Sequence, residues 1–399
     1  MKICLISREY PSDYHAGGAG TYTEKTARGL AALGQTVTVI TEASRSSSVR
    51  VEDGVEVRRL APAGLAGPVK VPYTRTFARA RAVARDLQRL PQTPDIVQAC
   101  EFGAEAFWYS GRKHPSTRLV TRLATPEFLV AELSTHSGGR TIRTRYSDWM
   151  ERTQTLRSDA IISPSAALAD IVCRRWGIAR ERVTIVRTGV DFAHRYSDRA
   201  APLPAELKGQ DYALYFGRLE ERKGVHILAE ALPEVLAAHP RLRFVFAGNN
   251  FLTYKGQPMQ AYVERCNAQY LDRIHFFPRL PQPQLYPVLA NALFVALPSL
   301  WESLANATLE ALDMGKPVVA TLGGGFAEVL EDRKSGILVP PGDAPALRDA
   351  LLWLLADRGR LRWMSEEASA RANLFRLPRV AAQLLDFYES LGAVAAPAR

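Results

Sequence analysis

The chain has 399 residues, 47% hydrophobic and 23% charged, with a formal net charge of +10. That length calls for two domains of ~200 residues each, and the composition excludes a disordered or fibrous chain. No stretch approaches the ~20 consecutive apolar residues that cross a bilayer, so the sequence reads as a soluble protein.

The opening "MKICLISREYP" has a short apolar run with no small-residue cleavage site behind it. It reads as a first strand, 2–7, and not as a leader. The stretch "PSDYHAGGAGTYTEKTARGL" (11–30) follows, with Gly17, Gly18 and Gly20 between that strand and a helix over 18–33 that Gly34 ends. Glycines here let backbone N–H groups approach an anion at the positive end of a helix. A flexible turn chosen for its dihedrals fits equally well. The spacing is neither G-x-G-x-x-G nor a Walker loop. Strands follow at 36–41, 55–60, 95–99, 118–123, 159–164 and 182–186, with a helix over 74–90. Alternation of this kind predicts a parallel, doubly wound sheet.

The segment 189–210 lacks periodicity, is rich in Pro, Ala and Asp, and reads as a linker. Beyond it the rhythm repeats, with strands at 212–217, 243–248, 273–277, 292–298, 316–321 and 336–340 and a last helix at 376–391. The expected fold class is α/β, two doubly wound Rossmann-like domains across a cleft. Ligands in such sheets sit outside the carboxyl ends of the strands, so the loops there should carry function.

Two such loops stand out. In "YFGRLEERKG" (215–224), Arg218 and Lys223 follow a strand end and precede a helix. A guanidinium fork and a mobile ammonium suit a diphosphate. Glu220, Glu221 and Arg222 should face outward on the turn. Taken alone, such a run is more often a solvated charged turn. In "WESLANATLE" (301–310), seven residues separate Glu302 and Glu310. Ser303 would cap a helix starting near Leu304, and Gly315 would stop it. Carboxylates grip vicinal hydroxyls well, although the spacing alone also suits two ordinary surface acids.

The four cysteines, Cys4, Cys100, Cys173 and Cys266, have neither metal nor redox spacing and fit a reducing cytoplasm. The positive charge is uneven: residues 1–190 hold 28 Lys and Arg against 18 Asp and Glu, the whole of the excess. One group is Arg75, Arg79, Arg81, Arg85 and Arg89; another is Arg140, Arg143, Arg145, Arg152 and Arg157. A peripheral membrane contact, with Phe77 or Trp149 as apolar anchor, competes with a solvated face. No module for nucleic acid is present.

Taken together, these features resemble the GT-B glycosyltransferases of family 4, the retaining, nucleotide-sugar-dependent group. The residues that carry the resemblance are "GGAGTYTEKTARGLAALGQTVTVIT", "IISPSAALAD", "VRTGVD", "FGRLEERKGVHILAEALP", "FVFAG" and "PSLWESLANATLEALDMGKPVVATLGGGFAEVLEDRKSGILVPPGD". The resemblance implies an acceptor-binding domain over 1–188, a linker over 189–210, a nucleotide-sugar-binding domain over 211–375 and a helix over 376–399 that crosses back to the first domain. It assigns Arg218 and Lys223 to the diphosphate, Glu310 to the ribose and Glu302 to the transferred sugar. The backbone of Ser303, Leu304 and Ala305 would touch sugar and phosphate, and the Gly17–Gly18 turn would approach the diphosphate. The implied reaction moves a hexose from a UDP- or GDP-sugar to an acceptor hydroxyl, with no cofactor and no metal. The acceptor would be a cell-envelope or lipid-linked glycan, or a small natural product.

Two positions depart from the family pattern. Ala124 stands where many relatives place a His near the reacting sugar, and Thr188 stands where an Asn is usual. Glu101 and Arg122 are the candidates to compensate on the acceptor side, against plainer readings as a strand-end surface charge and an internal ion pair. Ala124 is also what supports the competing reading, a non-catalytic subunit that keeps the nucleotide-sugar site.

Overall fold

The computed structural model describes residues 1–11, 17–62, 74–133, 142–250 and 253–393. By its contacts the chain divides into two units, Met1–Gly189 with Leu377–Arg399, and Val190–Arg376.

The first unit is built on an eight-stranded sheet of β1 (Lys2–Ile6), β2 (Thr36–Glu42), β3 (Ser48–Glu52), β4 (Val55–Leu60), β5 (Ile96–Cys100), β6 (Arg118–Arg122), β7 (Ala160–Ser163) and β8 (Val183–Ile185). The order is β3-β4-β2-β1-β5-β6-β7-β8, parallel except for the β3–β4 pair. Side chains alternate faces along a strand, and here both faces are buried, as a helix-covered parallel sheet requires. Ile3 and Leu5 pack with Val39, Ile96 and Tyr388 on one side. Cys4 and Ile6 pack with Ile40, Val83 and Leu119 on the other.

The last helix, Leu377–Ala393, belongs to this unit. Its Tyr388 hydroxyl donates to the Gln98 side chain at 2.8 Å. Gly29 makes room for it, since a Cβ there would lie 2.8 Å from the Ala381 Cβ. Strand β3 has no counterpart among the expected strands. Its signal was Asp53-Gly54, both left-handed (φ 48° and 77°), a two-residue turn of the kind that joins hairpins.

The second unit holds a six-stranded parallel sheet of β9 (Tyr212–Phe216), β10 (Arg243–Ala247), β13 (Ile274–Phe277), β14 (Val295–Leu297), β15 (Val318–Thr321) and β16 (Gly336–Val339). A two-stranded ribbon, β11 (Thr253–Tyr254) with β12 (Gln257–Pro258), stands apart from it. The order of the large sheet is β13-β10-β9-β14-β15-β16. The expected linker is a packed part of this unit. Val190 and Phe192 are buried, and the Phe192 ring stacks on Tyr286 at 6.0 Å. Ala193 donates its N–H to Asp313 at 2.7 Å.

Each sheet has one point where strand order reverses, between β1 and β5 and between β9 and β14. At such a point the two flanking loops diverge and leave a crevice at the carboxyl ends of the strands.

Candidate active site

In the second unit the reversal falls between the two loops singled out from the sequence. The chain leaves β9 through Gly217 (φ 147°) and Arg218, whose carbonyl accepts from the Tyr215 hydroxyl at 2.6 Å. A short 3-10 turn, Glu221–Lys223, leads through left-handed Gly224 into the Val225–Ala238 helix. Gly224 is required twice over: its φ is 67°, and a Cβ would fall 1.8 Å from the Pro298 carbonyl oxygen. That close approach joins the loop after β9 to the loop after β14. Leu300 N–H donates to the Arg222 carbonyl at 2.9 Å as well.

Five charged side chains then alternate in sign. Arg218 Nη2 lies 3.2 Å from Glu220 Oε1, and Arg222 Nη2 lies 3.0 Å from the same oxygen. Arg222 Nη1 is 3.6 Å from Glu302 Oε1, and the Lys223 ammonium contacts that oxygen directly. Glu220 and Arg222 therefore do not face outward. Glu220 is buried between two guanidinium groups, and Arg222 spans both acids. Arg218 is the exposed member, its side chain 62% accessible. Burial pushes the Glu302 carboxyl up, but Lys223 and Arg222 outweigh it and hold Glu302 below the usual carboxylate range.

The backbone of Glu302 is held by three glycines after β15. Glu302 donates to the Gly323 carbonyl at 3.2 Å, and Gly325 donates to the Glu302 carbonyl at 2.8 Å. Gly324 has φ 85°, and a Cβ there would lie 2.0 Å from the Glu302 carbonyl oxygen. The "GGG" run at a strand end was the signal for this contact. Ser303 does not cap the next helix, which spans Asn306–Asp313 with Ala305 at its N-cap and no side-chain cap bond. Ser303, Leu304 and Ala305 form the approach to it, and Glu310 is buried within it.

In the first unit, Gly17 and Gly18 are exposed where the Gly18–Ala32 helix begins, and Gly17 N–H donates to Glu9 at 2.5 Å. Residues 12–16 of the glycine loop, His15 among them, lie outside the described residues. Glu101 closes β5 at the reversal point but is fully buried, so the strand-end surface charge is not what the structure contains. Both its carboxylate oxygens lie 2.8 Å from the Ala124 N–H. Arg122 is buried too. Its guanidinium sits 3.5 Å from the Tyr22 ring centroid and donates to the Thr188 hydroxyl at 3.0 Å. Both side chains are buried. Each acts on the backbone or ring beside it.

A second buried acid, Glu151, was not anticipated. Its oxygens accept from Gly103 N–H at 3.0 Å and Glu127 N–H at 2.9 Å, tying together the loops after β5 and β6. Burial raises the carboxyls of both Glu101 and Glu151, and Glu101 adds to the rise of Glu151. Such groups bind more protons folded than unfolded. The stability they lend is full below the ordinary carboxyl value of 4.5 and is lost as pH rises through the raised value. Glu101→Gln keeps an acceptor for the Ala124 N–H, gives up only the weak bond from the Cys100 thiol, and removes the buried charge. Its melting temperature should gain on wild type between about pH 5 and pH 8. Glu151→Gln loses one of two acceptors and should cost ~1–3 kcal/mol. Thermal melts across that range check both; equal effects of the two variants would contradict this account.

The arginine groups separate on inspection. Arg79 is buried against Glu105 at 2.5 Å, and Arg75 pairs with Glu42 at 2.8 Å, whereas Arg81, Arg85 and Arg89 are exposed. Phe77 packs edge-on to Trp108, with ring centroids 4.6 Å apart. On the Ile142–Arg157 helix, Ile142, Arg145, Trp149 and Arg152 form one exposed stripe at helical spacing. Arg140 and the Arg143 side chain lie outside the described residues.

Comparison with known proteins is consistent along the chain. Residues 16–194 match the model for Glycosyltransferase Family 4, and residues 210–357 match that for Glycosyl transferases group 1. A D-inositol 3-phosphate glycosyltransferase from Nocardia farcinica is 28% identical over 395 residues, covering 95% of this chain and 86% of the relative. A glycogen synthase from Mycobacterium tuberculosis is 28% identical over 387 residues, covering 90% and 86%. Among solved structures, sucrose-phosphate synthase from Thermosynechococcus elongatus superposes with a TM-score of 0.78 at 20% identity, covering 99% and 100%. Anabaena HepE in complex with UDP and glucose gives 0.69 at 19%, covering 98% and 100%.

Proposed function

Since this chain belongs to the family 4 glycosyltransferases of the GT-B fold and is an enzyme of that class, we propose that it moves a hexose from a UDP- or GDP-sugar to an acceptor hydroxyl with retention. The observation that carries this reading is the joining of Lys223 to Glu302, residues 79 apart in sequence, at the reversal point of the second sheet. The diphosphate takes the exposed Arg218 guanidinium and the Lys223 ammonium, with the N–H groups ahead of the Asn306–Asp313 helix completing the cradle. Glu302 faces the transferred sugar, and Glu310 takes the ribose hydroxyls.

As the anomeric C–O bond breaks, its electron pair leaves with the diphosphate. The developing negative charge falls on groups that are already positive. The acceptor oxygen bonds to the anomeric carbon on the face the diphosphate leaves, and its proton passes to the departing phosphate. Cations of this kind serve the leaving group without a metal. Relatives named for inositol 3-phosphate, together with the positive charge of residues 1–190, support an acceptor that itself carries negative charge. Release of nucleoside diphosphate across a panel of UDP- and GDP-sugars tests the donor. No release from any of them, and no shift in melting temperature with UDP or GDP, would end the reading.

The exposed stripe Ile142, Arg145, Trp149, Arg152 supports a second reading, peripheral contact of the first unit with anionic lipid. Ile142 is 79% and Trp149 50% exposed, an apolar and aromatic edge flanked by cations. No helix among the described residues is long and apolar enough to cross a membrane. Co-sedimentation should be seen with phosphatidylserine-containing vesicles, be weak with phosphatidylcholine alone, and fall several-fold in Trp149→Ala. Equal binding to both vesicle types, or none, would exclude it.

A further inference from the structure

The Lys223 ammonium has two claimants. It contacts Glu302, and the donor-site reading above, on which this inference rests, gives it the diphosphate. Glu302 is only 7% exposed and carries a charge that its surroundings must balance. If Lys223 turned to phosphate with nothing behind it, Glu302 would be left a buried unpaired anion. That outcome would work against donor binding.

We propose that Arg222 is the positioning residue that resolves this conflict: it holds the charge of Glu302 when Lys223 engages the donor. The geometry supports the exchange. Arg222 is anchored at one end, Nη2 to Glu220 at 3.0 Å, while Nη1 stands 3.6 Å from Glu302 and 3.5 Å from the Trp301 carbonyl. That is close enough to carry the charge and loose enough to tighten. The Leu300 N–H bond to the Arg222 carbonyl fixes its backbone to the loop that bears Glu302. A planar fork can hold two acids at once, as an ammonium on a flexible stem does less well. Glu220 is shared between Arg218 and Arg222, so it limits how strongly Arg222 is drawn to Glu302.

The groups facing Glu302 are Lys223 and Arg222 from the turn after β9 and Ser299 in the loop after β14, with the buried Tyr215 of β9 beyond them. A positive neighbour lowers a carboxyl and a negative one raises it. Arg222→Gln should therefore weaken UDP and GDP binding about tenfold near neutral pH, where Glu302 is left an unpaired anion once Lys223 turns, and the loss should shrink as pH falls and Glu302 takes a proton. Glu220→Gln should instead strengthen binding near neutral pH, because it releases Arg222 to Glu302 and removes a nearby anion.

Opposite shifts from two neighbouring changes are not what a loss of packing would give. Calorimetric titration of UDP and GDP from about pH 4 to pH 8 reads both variants. Arg222→Gln with wild-type affinity across that range, or a loss that does not shrink toward low pH, overturns the inference, as would two shifts of the same sign. If Arg222→Gln does not fold, Glu220→Gln decides alone by its direction. Lys223→Ala separates the levels: if it alone abolishes binding, the donor-site reading stands and the role of Arg222 falls. If the wild type binds neither nucleotide, both fall.

Discussion

Lys223→Ala should abolish measurable release of nucleoside diphosphate, lowering kcat/KM by about 10²–10³-fold, the scale of removing one pre-placed charge partner from a transition state. The ammonium is the more protected of the two cations assigned to the leaving group. Its side chain is 22% exposed, against 62% for Arg218, so less water competes for it and its charge acts at full strength. The variant also strips Glu302 of its nearest counter-ion, but Arg222 stays within 3.6 Å, so the fold should survive. Donor turnover beside a thermal melt checks both halves. Turnover within threefold of wild type in a folded variant would remove Lys223 from the mechanism. Arg218→Ala, by comparison, removes a solvent-exposed charge and should cost less.

Gly324→Ala should be as damaging to function although it changes no charged group. The residue sits at φ 85°, where a side chain costs ~1–2 kcal/mol before any contact is counted. The added Cβ would then lie 2.0 Å from the Glu302 carbonyl oxygen and 3.0 Å from its nitrogen. Backbone on both sides must separate, which breaks the paired bonds that Gly323 and Gly325 make to Glu302. The expected outcome is a stability loss of ~2–4 kcal/mol together with donor turnover lost to the extent seen in Lys223→Ala. Chemical denaturation and nucleoside diphosphate release measure these. A variant that melts like wild type and turns over normally would show that Glu302 does not depend on that clamp. Gly34 provides the contrast. It too is left-handed, but nothing lies within 4 Å of a Cβ there, so its alanine variant should lose only the dihedral cost.

The periodicity of this sequence was sufficient for its layers. Thirteen of the strands were legible because parallel strands buried on both faces are continuous apolar runs, and a run such as "YALYFG" has few other ways to be satisfied. The other three carry no such run: Ser48–Glu52 (β3) is mostly exposed at a sheet edge, and β11 and β12 are two residues each. The packing of 189–210 leaves little trace because Val190 and Phe192 are single apolar residues, and the Phe192 ring meets Tyr286, far along the chain, as well as Tyr196. A lone buried residue leaves no periodic trace.

For the site, the sequence by itself determined which chemical groups stand at the strand ends: two cations after β9, two acids after β14, glycines where backbones must come close. Spacing and residue type encode that much, because strand ends, turns and helix starts are local events. Which of these groups meet was decided only by tertiary structure. Arg222 and Glu220 read as outward-facing charges and Glu101 as a surface acid. Pairing turned Glu220 and Arg222 into the middle of an alternating chain, and burial turned Glu101 into a backbone anchor. Burial and pairing depend on what folds against a residue from elsewhere in the chain. A charge that its own neighbours would leave in water becomes a structural part only when the reversal of strand order brings a second loop against it.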